Sequence, residues 1–289
     1  MTSSPMPPPW LRYPHCAFGP ADCVGPDVEC WTEFDERLAA LSPQDRVEYV
    51  RLFPAPKTQP LYYEAEAMVD GTLEAALADL ECQTPTHTVR HWEPHGAWRY
   101  TRADLAARVA AGESPSYVMF WKPGASGTPA CLGQWQPSPF TVGPVRYSCA
   151  EQYMMAEKAR LFGDEEMEQQ ILATDDPLTM KRLGKKVRGF DAGVWDKAKY
   201  SIVLNGSYAK FSQDPDLRAY LLSTGDAVLV EASPLDTVWG IGLGANNERS
   251  TDPARWRGAN LLGFALMETR DEIARVWANA DLVDWSIFP

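Results

Sequence analysis

Histidine is nearly missing from this chain. Its 289 residues hold four, His15, His87, His91 and His95, and none follows residue 95. Acid–base chemistry in the last two-thirds therefore falls to carboxylates, Lys, Tyr, Ser or Cys. No stretch approaches the roughly 18 apolar residues that read as a membrane span. The opening Met1-Thr2-Ser3-Ser4-Pro5 has neither a basic nor an apolar run, so no secretory signal is expected and the cytoplasm is the expected location. The six cysteines, Cys16, Cys23, Cys30, Cys82, Cys131 and Cys149, form no C-x-x-C pair. The first three recur every seven residues, which fits no common zinc spacing, and reduced thiols are expected. On a continuous helix His87, His91 and His95 would share a metal-binding face, but Pro94 and Gly96 interrupt it. With no H-E-x-x-H or H-x-E pattern, neither a metal nor another cofactor is expected.

What is present is an ordinary globular composition, 45% apolar and 23% charged, which excludes wholesale disorder. The 27 Lys+Arg against 39 Asp+Glu give a net charge of −12, unlike a strongly basic nucleic-acid binder. The excess is uneven. Residues 1–114 carry 9 Lys+Arg and 17 Asp+Glu, a net of −8, and the remainder carries 18 and 22, a net of −4. Eleven Trp supply flat faces that serve as core or as stacking surfaces.

Residues 1–30 are Pro-rich and aperiodic and read as an extended or wrapping arm. Trp31 to Phe53 reads as helix, interrupted at Ser42-Pro43, a cap followed by a first-turn proline. A short helix over Gly71–Leu80, a strand near Thr86–His91 and a helix over Thr101–Ala111 follow. Gly112-Glu113-Ser114-Pro115 reads as a linker, so a boundary is expected between an accessory segment, 1–114, and a second domain, 115–289. Beyond it, Ser116–Trp121 is a strand and Phe140–Tyr147 a short strand or hairpin. Helices are expected near 148–162, 164–173, 177–187, 193–212 and 214–222, then a buried strand at 228–232, a Gly- and Asn-rich loop, and a helix near 258–277. The fold class is α+β, predominantly helical.

Three stretches could carry chemistry. In Ser148-Cys149-Ala150-Glu151, Ser148 and Glu151 have capping-box spacing. Lys158 lies two helical turns beyond Glu151 on a stripe shared with Met154 and Met155. The alternatives are a cap with a solvated lysine, or a carboxylate and an amine facing one pocket. After the strand Val228–Ala232 come Asp236 and Trp239, read either as an Asx-turn with a core Trp or as an acid–base residue with a stacking plate. Gly240, Gly242 and Gly244 follow a loop and open no helix, so they fail as a dinucleotide fingerprint, though their backbone could approach a phosphate. Lys181, Arg182, Lys185, Lys186 and Arg188 form a cationic run, either a solvated helix face or, with Arg257, a phosphate clamp. Asn260 is a helix cap or a polar contact.

The ordered segments Gln134-Trp135-Gln136-Pro137, Cys149-Ala150-Glu151-Gln152-Tyr153 through Lys158, Tyr208-Ala209-Lys210-Phe211, Leu229-Val230-Glu231-Ala232-Ser233-Pro234-Leu235-Asp236, Trp239-Gly240-Ile241-Gly242 and Trp256-Arg257-Gly258-Ala259-Asn260 resemble the NADAR, or YbiA-like, N-glycosidase family. The resemblance covers residues 116–277 and nothing in 1–114. It implies a compact helical α+β domain that hydrolyses a bond between ribose C1 and a base. The substrate it favours is ADP-ribosylated guanine, in DNA or as a nucleotide, with a toxin-type mark being reversed. An early riboflavin-pathway ribosylamino-pyrimidine phosphate, or ligand binding without turnover, are the alternatives. By position the resemblance makes Glu151, Lys158 and Asp236 catalytic, with Lys158 as a Schiff-base nucleophile or water as the attacking group. Phe120, Trp121, Gln134, Trp135, Ser148, Trp239, Gly240, Gly242 and Asn260 would contact substrate. The expected partner is a nucleotide-sized ligand, carried in some cases on DNA, with a protein partner for residues 1–114.

Overall fold

The computed structural model describes residues 5–16, 26–58, 99–125 and 127–287. Compactness divides the chain into two units: residues 1–92, 141–146 and 272–289, and residues 93–140 with 147–271. These limits run differently from the boundary expected at 114/115, because the helix over Arg102–Ala110 groups with the larger unit. The expected helix over 71–80, the strand near 86–91 and His87, His91 and His95 lie outside the described residues.

In the smaller unit, the expected extended arm is replaced by helix. Helix α1 (Pro9–Arg12) has proline in its first turn, and α2 (Pro26–Ala40) begins on another. Proline is compatible with a helix there because its missing N–H would be unpaired anyway. Helix α3 (Pro43–Leu52) is capped by Ser42, whose hydroxyl accepts the Asp45 N–H, as the sequence predicts. Trp10, Leu11, Trp31, Phe34, Tyr49 and Phe53 form a core with Val276 and Val283. Trp10 and Trp31 are thus core residues of this unit. Trp10 meets Phe34 edge-on with centroids 5.6 Å apart, a favoured geometry for aromatic pairs.

The larger unit is helical apart from short strands. After α4 (Arg102–Ala110) comes β1 (Tyr117–Phe120), and then a hairpin, β2 (Phe140–Val142) with β3 (Val145–Tyr147), of which residues 141–146 group with the smaller unit. Next are α5 (Ala150–Leu161), α6 (Glu165–Leu172), α7 (Pro177–Gly184), α8 (Ala192–Gln213) and α9 (Pro215–Ser223). Strand β4 (Val228–Glu231) and helix α10 (Leu261–Val276) complete the fold, with α10 passing into the smaller unit at Glu272. The chain is α+β and predominantly helical. Asp164, Asp176, Asp191 and Asp214 cap α6 to α9, each accepting first-turn N–H groups. Helix α8 is buried nearly all round from Tyr200 to Ser212, which marks it as the central helix of this unit. Among the described residues, no helix is long and apolar enough to cross a membrane.

Strands β1 and β4 pair in parallel, Tyr117 opposite Val228 and Phe120 opposite Glu231. Asn260 pins the pair from behind. It has a left-handed φ of 57°, accepts the Glu231 N–H on Oδ1 at 3.0 Å and donates Nδ2 to the Leu229 carbonyl at 2.9 Å. Its conformation delays α10, expected from 258, to Leu261. Gly263 lets α10 approach β4: a methyl there would lie 2.0 Å from the Leu229 oxygen. Gly263→Ala is therefore expected to cost about 1–3 kcal/mol, as overpacking does. Gly244→Ala, with nothing within 4 Å, should change little. Equal urea midpoints for the two variants would refute the close approach.

Candidate active site

The first turn of α5 begins one residue later than capping-box spacing implies. Cys149 is the N-cap and makes no side-chain cap bond. Gln152 takes the box role, its Oε1 accepting the Ser148 N–H at 2.7 Å, while its Nε2 donates to the Thr174 carbonyl at 2.8 Å. Glu151 is thereby released from capping. Its backbone N–H donates to the Gln134 carbonyl at 3.1 Å, and its side chain is enclosed, with Oε1 lacking a hydrogen-bond partner. Burial pushes its pKa up to about 7, opposed by Lys181 and a hydrogen bond to the Trp135 side chain, and assisted by Asp236.

A second acid stands beside it. Glu231 ends β4, and its Oε2 is enclosed without a partner. Burial pushes its pKa up to about 8, with Asp236 and then Glu151 raising it further and Lys181 lowering it. Asp236 lies five residues on. Its Oδ1 accepts the N–H groups of Val238 (2.9 Å) and Trp239 (2.8 Å), and its Oδ2 lies 3.8 Å from Lys181 Nζ. The Asx-turn reading of Asp236 matches these bonds, and the same side chain also stands in the cluster. Lys181 also stands 5.9 Å from the centre of the Trp135 ring. Four elements thus bring together Glu151, Glu231, Asp236, Lys181 and Trp135.

Other anticipated residues fall elsewhere. Lys158 Nζ donates to the Gly184 carbonyl at 2.9 Å and rests over the Phe190 (4.2 Å) and Trp195 (5.3 Å) rings. Burial lowers its pKa, and the cation that reaches Glu151 is Lys181, three residues before Gly184. Phe120 is buried at the end of β1, whereas Trp121 is exposed beside Lys122. Trp135 and Trp239 are partly buried. Gln134 is buried, with Nε2 3.7 Å from Met154 Sδ, and Ser148 Oγ is enclosed without a partner. Both amide atoms of Asn260 are spent on β4.

Gly240 and Gly242 serve packing. A Cβ at Gly240 would lie 2.8 Å from the Glu231 oxygen, and one at Gly242 (φ 68°) 2.8 Å from Arg257 Cβ. Arg188 is held by Asp164 through its backbone N–H (2.8 Å) and its guanidinium (2.5 Å), which leaves Arg182, Lys185 and Arg257 as exposed cations. Cys30, Cys131 and Cys149 are buried.

Two residues carry roles that sequence reasoning did not assign. One is Glu231, hidden as the polar end of a buried strand. The other is Lys210, fully enclosed, with Nζ donating to the carbonyls of Cys131 (2.6 Å) and Gly133 (3.0 Å). Burial lowers the Lys210 pKa to about 8. It anchors the segment that delivers Gln134 and Trp135. A lysine inside an otherwise apolar helix run, Tyr208-Ala209-Lys210-Phe211, was the available signal.

This is a small helical α+β domain built around enclosed carboxylates, an arrangement suited to proton transfer and to stabilising a cation. The NADAR domain model matches residues 119–274, and the chain belongs to that family. N-glycosidase R617 of Acanthamoeba polyphaga mimivirus is 48% identical over 126 residues, 44% of this chain and 74% of that protein. Protein irg-1 of Caenorhabditis elegans is 34% identical over 182 residues, 57% and 83%. N-glycosidase YbiA of Escherichia coli is 31% identical over 136 residues, 47% and 76%. The NMR structure of E. coli YbiA aligns with a TM-score of 0.45 at 26% identity, covering 56% of this chain and 87% of that one.

The raised pKa of Glu151 has a consequence for stability. An unfolded chain loses this proton near 4.5, while the folded chain keeps it to about 7. The folded state therefore binds more protons in that window, and its stability falls as pH rises through it. Glu151→Gln removes the effect. Its melting temperature should exceed that of the wild type by several degrees above neutral pH, and the gap should close toward about pH 4.5. A gap independent of pH in thermal melts would refute the burial.

Proposed function

We propose that this chain is an N-glycosidase that cleaves the bond between ribose C1 and a base, acting in the cytoplasm on ADP-ribosylated guanine. The observation that carries this reading is the pair of enclosed carboxyl groups, Glu151 and Glu231, grouped with the partly exposed Asp236, Lys181 and Trp135. Cleavage at an anomeric carbon develops positive charge on the sugar, and carboxylates held in a poorly solvated site stabilise it. Glu151 is the base that takes a proton from the attacking water. Trp135 and Trp239 offer faces for the base, and Lys181, Arg182, Lys185 and Arg257 offer charge for the diphosphate. The names of R617 and YbiA, both N-glycosidases, support the same reaction class.

A second reading keeps an amine as nucleophile. It is favoured by one observation: Lys181 reaches Asp236, Glu151 and Glu231 together, whereas Lys158 is occupied at Gly184. We further propose that residues 1–114, outside the matched region, bind a protein partner.

The test measures ADP-ribose released from ADP-ribosylated guanosine, alone and in DNA, and free pyrimidine released from the ribosylamino-pyrimidine phosphate. ADP-ribose release that falls by about 10²-fold or more in Glu151→Gln is the expected result. Release from the pyrimidine alone would reassign the substrate, and no release from any of them would remove the enzymatic reading. Borohydride quenching with peptide mapping separates the nucleophiles. An adduct on Lys181 means the amine route, no adduct means water, and an adduct on Lys158 would overturn both.

A further inference from the structure

We propose that Glu231 is the catalytic acid that hands its proton to the departing base, with Asp236 serving as the fixed anion that keeps that proton in place. The assignment rests on the glycosidase reading above and divides the labour within its site.

Of the three carboxyl groups, Asp236 is the one whose oxygens are committed. Oδ1 accepts the N–H groups of Val238 and Trp239, and Oδ2 lies 3.8 Å from Lys181 Nζ. A carboxyl group engaged on both oxygens is not free to swing toward a leaving base. Glu151 has partial support for its own negative charge in the Trp135 hydrogen bond and in Lys181. Glu231 has an enclosed Oε2 with no hydrogen-bond partner, and Asp236 and Glu151 as its charged neighbours of like sign. Two adjacent acids beside a fixed anion cannot both ionise readily, and the less supported one keeps its proton. The high pKa of Glu231, about 8, accords with that order.

The backbone of Glu231 is held as a proton donor requires. Its N–H donates to Asn260 Oδ1 (3.0 Å), and its carbonyl accepts the Ile241 N–H (2.9 Å). The next residue, Ala232, donates its N–H to the Phe120 carbonyl at 2.8 Å. The side chain therefore leaves a strand end braced on both sides, which limits positional error.

The step balances as follows. Water adds its oxygen to C1 and passes a proton to Glu151. The C1–N bond breaks, and its electron pair goes to the base nitrogen. That nitrogen takes the proton of Glu231, which becomes a carboxylate. Proton exchange with solvent then restores a protonated Glu231 and an ionised Glu151.

The experiment uses the full chain and follows the pH dependence of kcat for ADP-ribose release from ADP-ribosylated guanosine in wild type, Glu231→Gln and Glu231→Asp. NAD serves as a second substrate. It carries the same ADP-ribosyl group, but its nicotinamide leaves without needing a proton. Glu231→Gln should lower kcat on ADP-ribosylated guanosine by about 10²-fold or more and abolish the fall in rate on the alkaline side. Its effect on nicotinamide release should be much smaller. Equal losses on both substrates, or an unchanged alkaline limb, would overturn the assignment. If Glu231→Gln does not fold, Glu231→Asp decides. A reduced kcat with the alkaline limb kept supports the acid role, and an unchanged kcat overturns it. A wild type inactive on every glycoside overturns the glycosidase reading and this assignment with it, whereas an active wild type with an indifferent Glu231 overturns this assignment alone.

Discussion

Two enclosed glutamate carboxyl groups stand beside a partly exposed aspartate and a single lysine, and that imbalance governs the larger unit. Glu151 and Glu231 are cut off from water, and the cation nearest them, Lys181, also stands against Asp236. A charge without solvent or a full complement of partners is expensive, so the two glutamates hold protons far above the ordinary carboxyl range. The site is tuned by what it withholds. Adding a second cation would relax the pKa values and remove the proton inventory that glycosidic cleavage draws on.

An unfavourable cluster persists only if its frame is rigid, and the frame here is built from close backbone approaches. Asn260 binds β4 through both amide atoms, and Gly263 lets α10 press onto the same strand. Gly258 comes nearly as close to a second carbonyl, since a Cβ there would lie 2.1 Å from the Gly240 oxygen. Lys210 fixes the opposite wall by donating to the carbonyls of Cys131 and Gly133, just before Gln134 and Trp135. Like Glu151, Lys210 is a buried ionisable group whose cost of burial is borne for position. Backbone carbonyls suit that purpose, because they satisfy the amine without introducing another titrating partner.

The local signals in the sequence were easy to read because they act over a few residues. Ser42-Pro43 starts a helix, and Asp176-Pro177 and Asp214-Pro215 do the same, since a cap and a first-turn proline need only their neighbours. Glu151 and Asp236 were legible as site candidates for a different reason, the ordered resemblance around them. The cation was not. Lys158 lies seven residues after Glu151, and at 1.5 Å per residue that places it roughly 10 Å further along the axis. Which of Lys181, Arg182 and Lys185 turns inward depends on how α7 is rotated against α5. That rotation is set by contacts such as Met155 against Gly184, which no periodicity reveals. Glu231 was hidden because a polar residue ending an apolar strand looks like its solvent-facing rim. Only the loop returning over it, with Ile241 bonded to its carbonyl, makes it an interior residue.

Asp236 and Glu231 illustrate why a carboxylate's role cannot be assigned by its presence alone. Both lie on one strand-to-loop segment, five residues apart, and either could be written as acid or base. The difference lies in their hydrogen bonds. Asp236 spends Oδ1 on the turn that carries Trp239, so its position is fixed by the loop. Glu231 has its backbone fixed and its Oε2 unengaged, so its proton is the one the fold leaves available. A fixed anion next to a free acid is a simple way to hold a proton at neutral pH without a histidine. It explains how a chain with no histidine after residue 95 can still build a proton donor in its catalytic half.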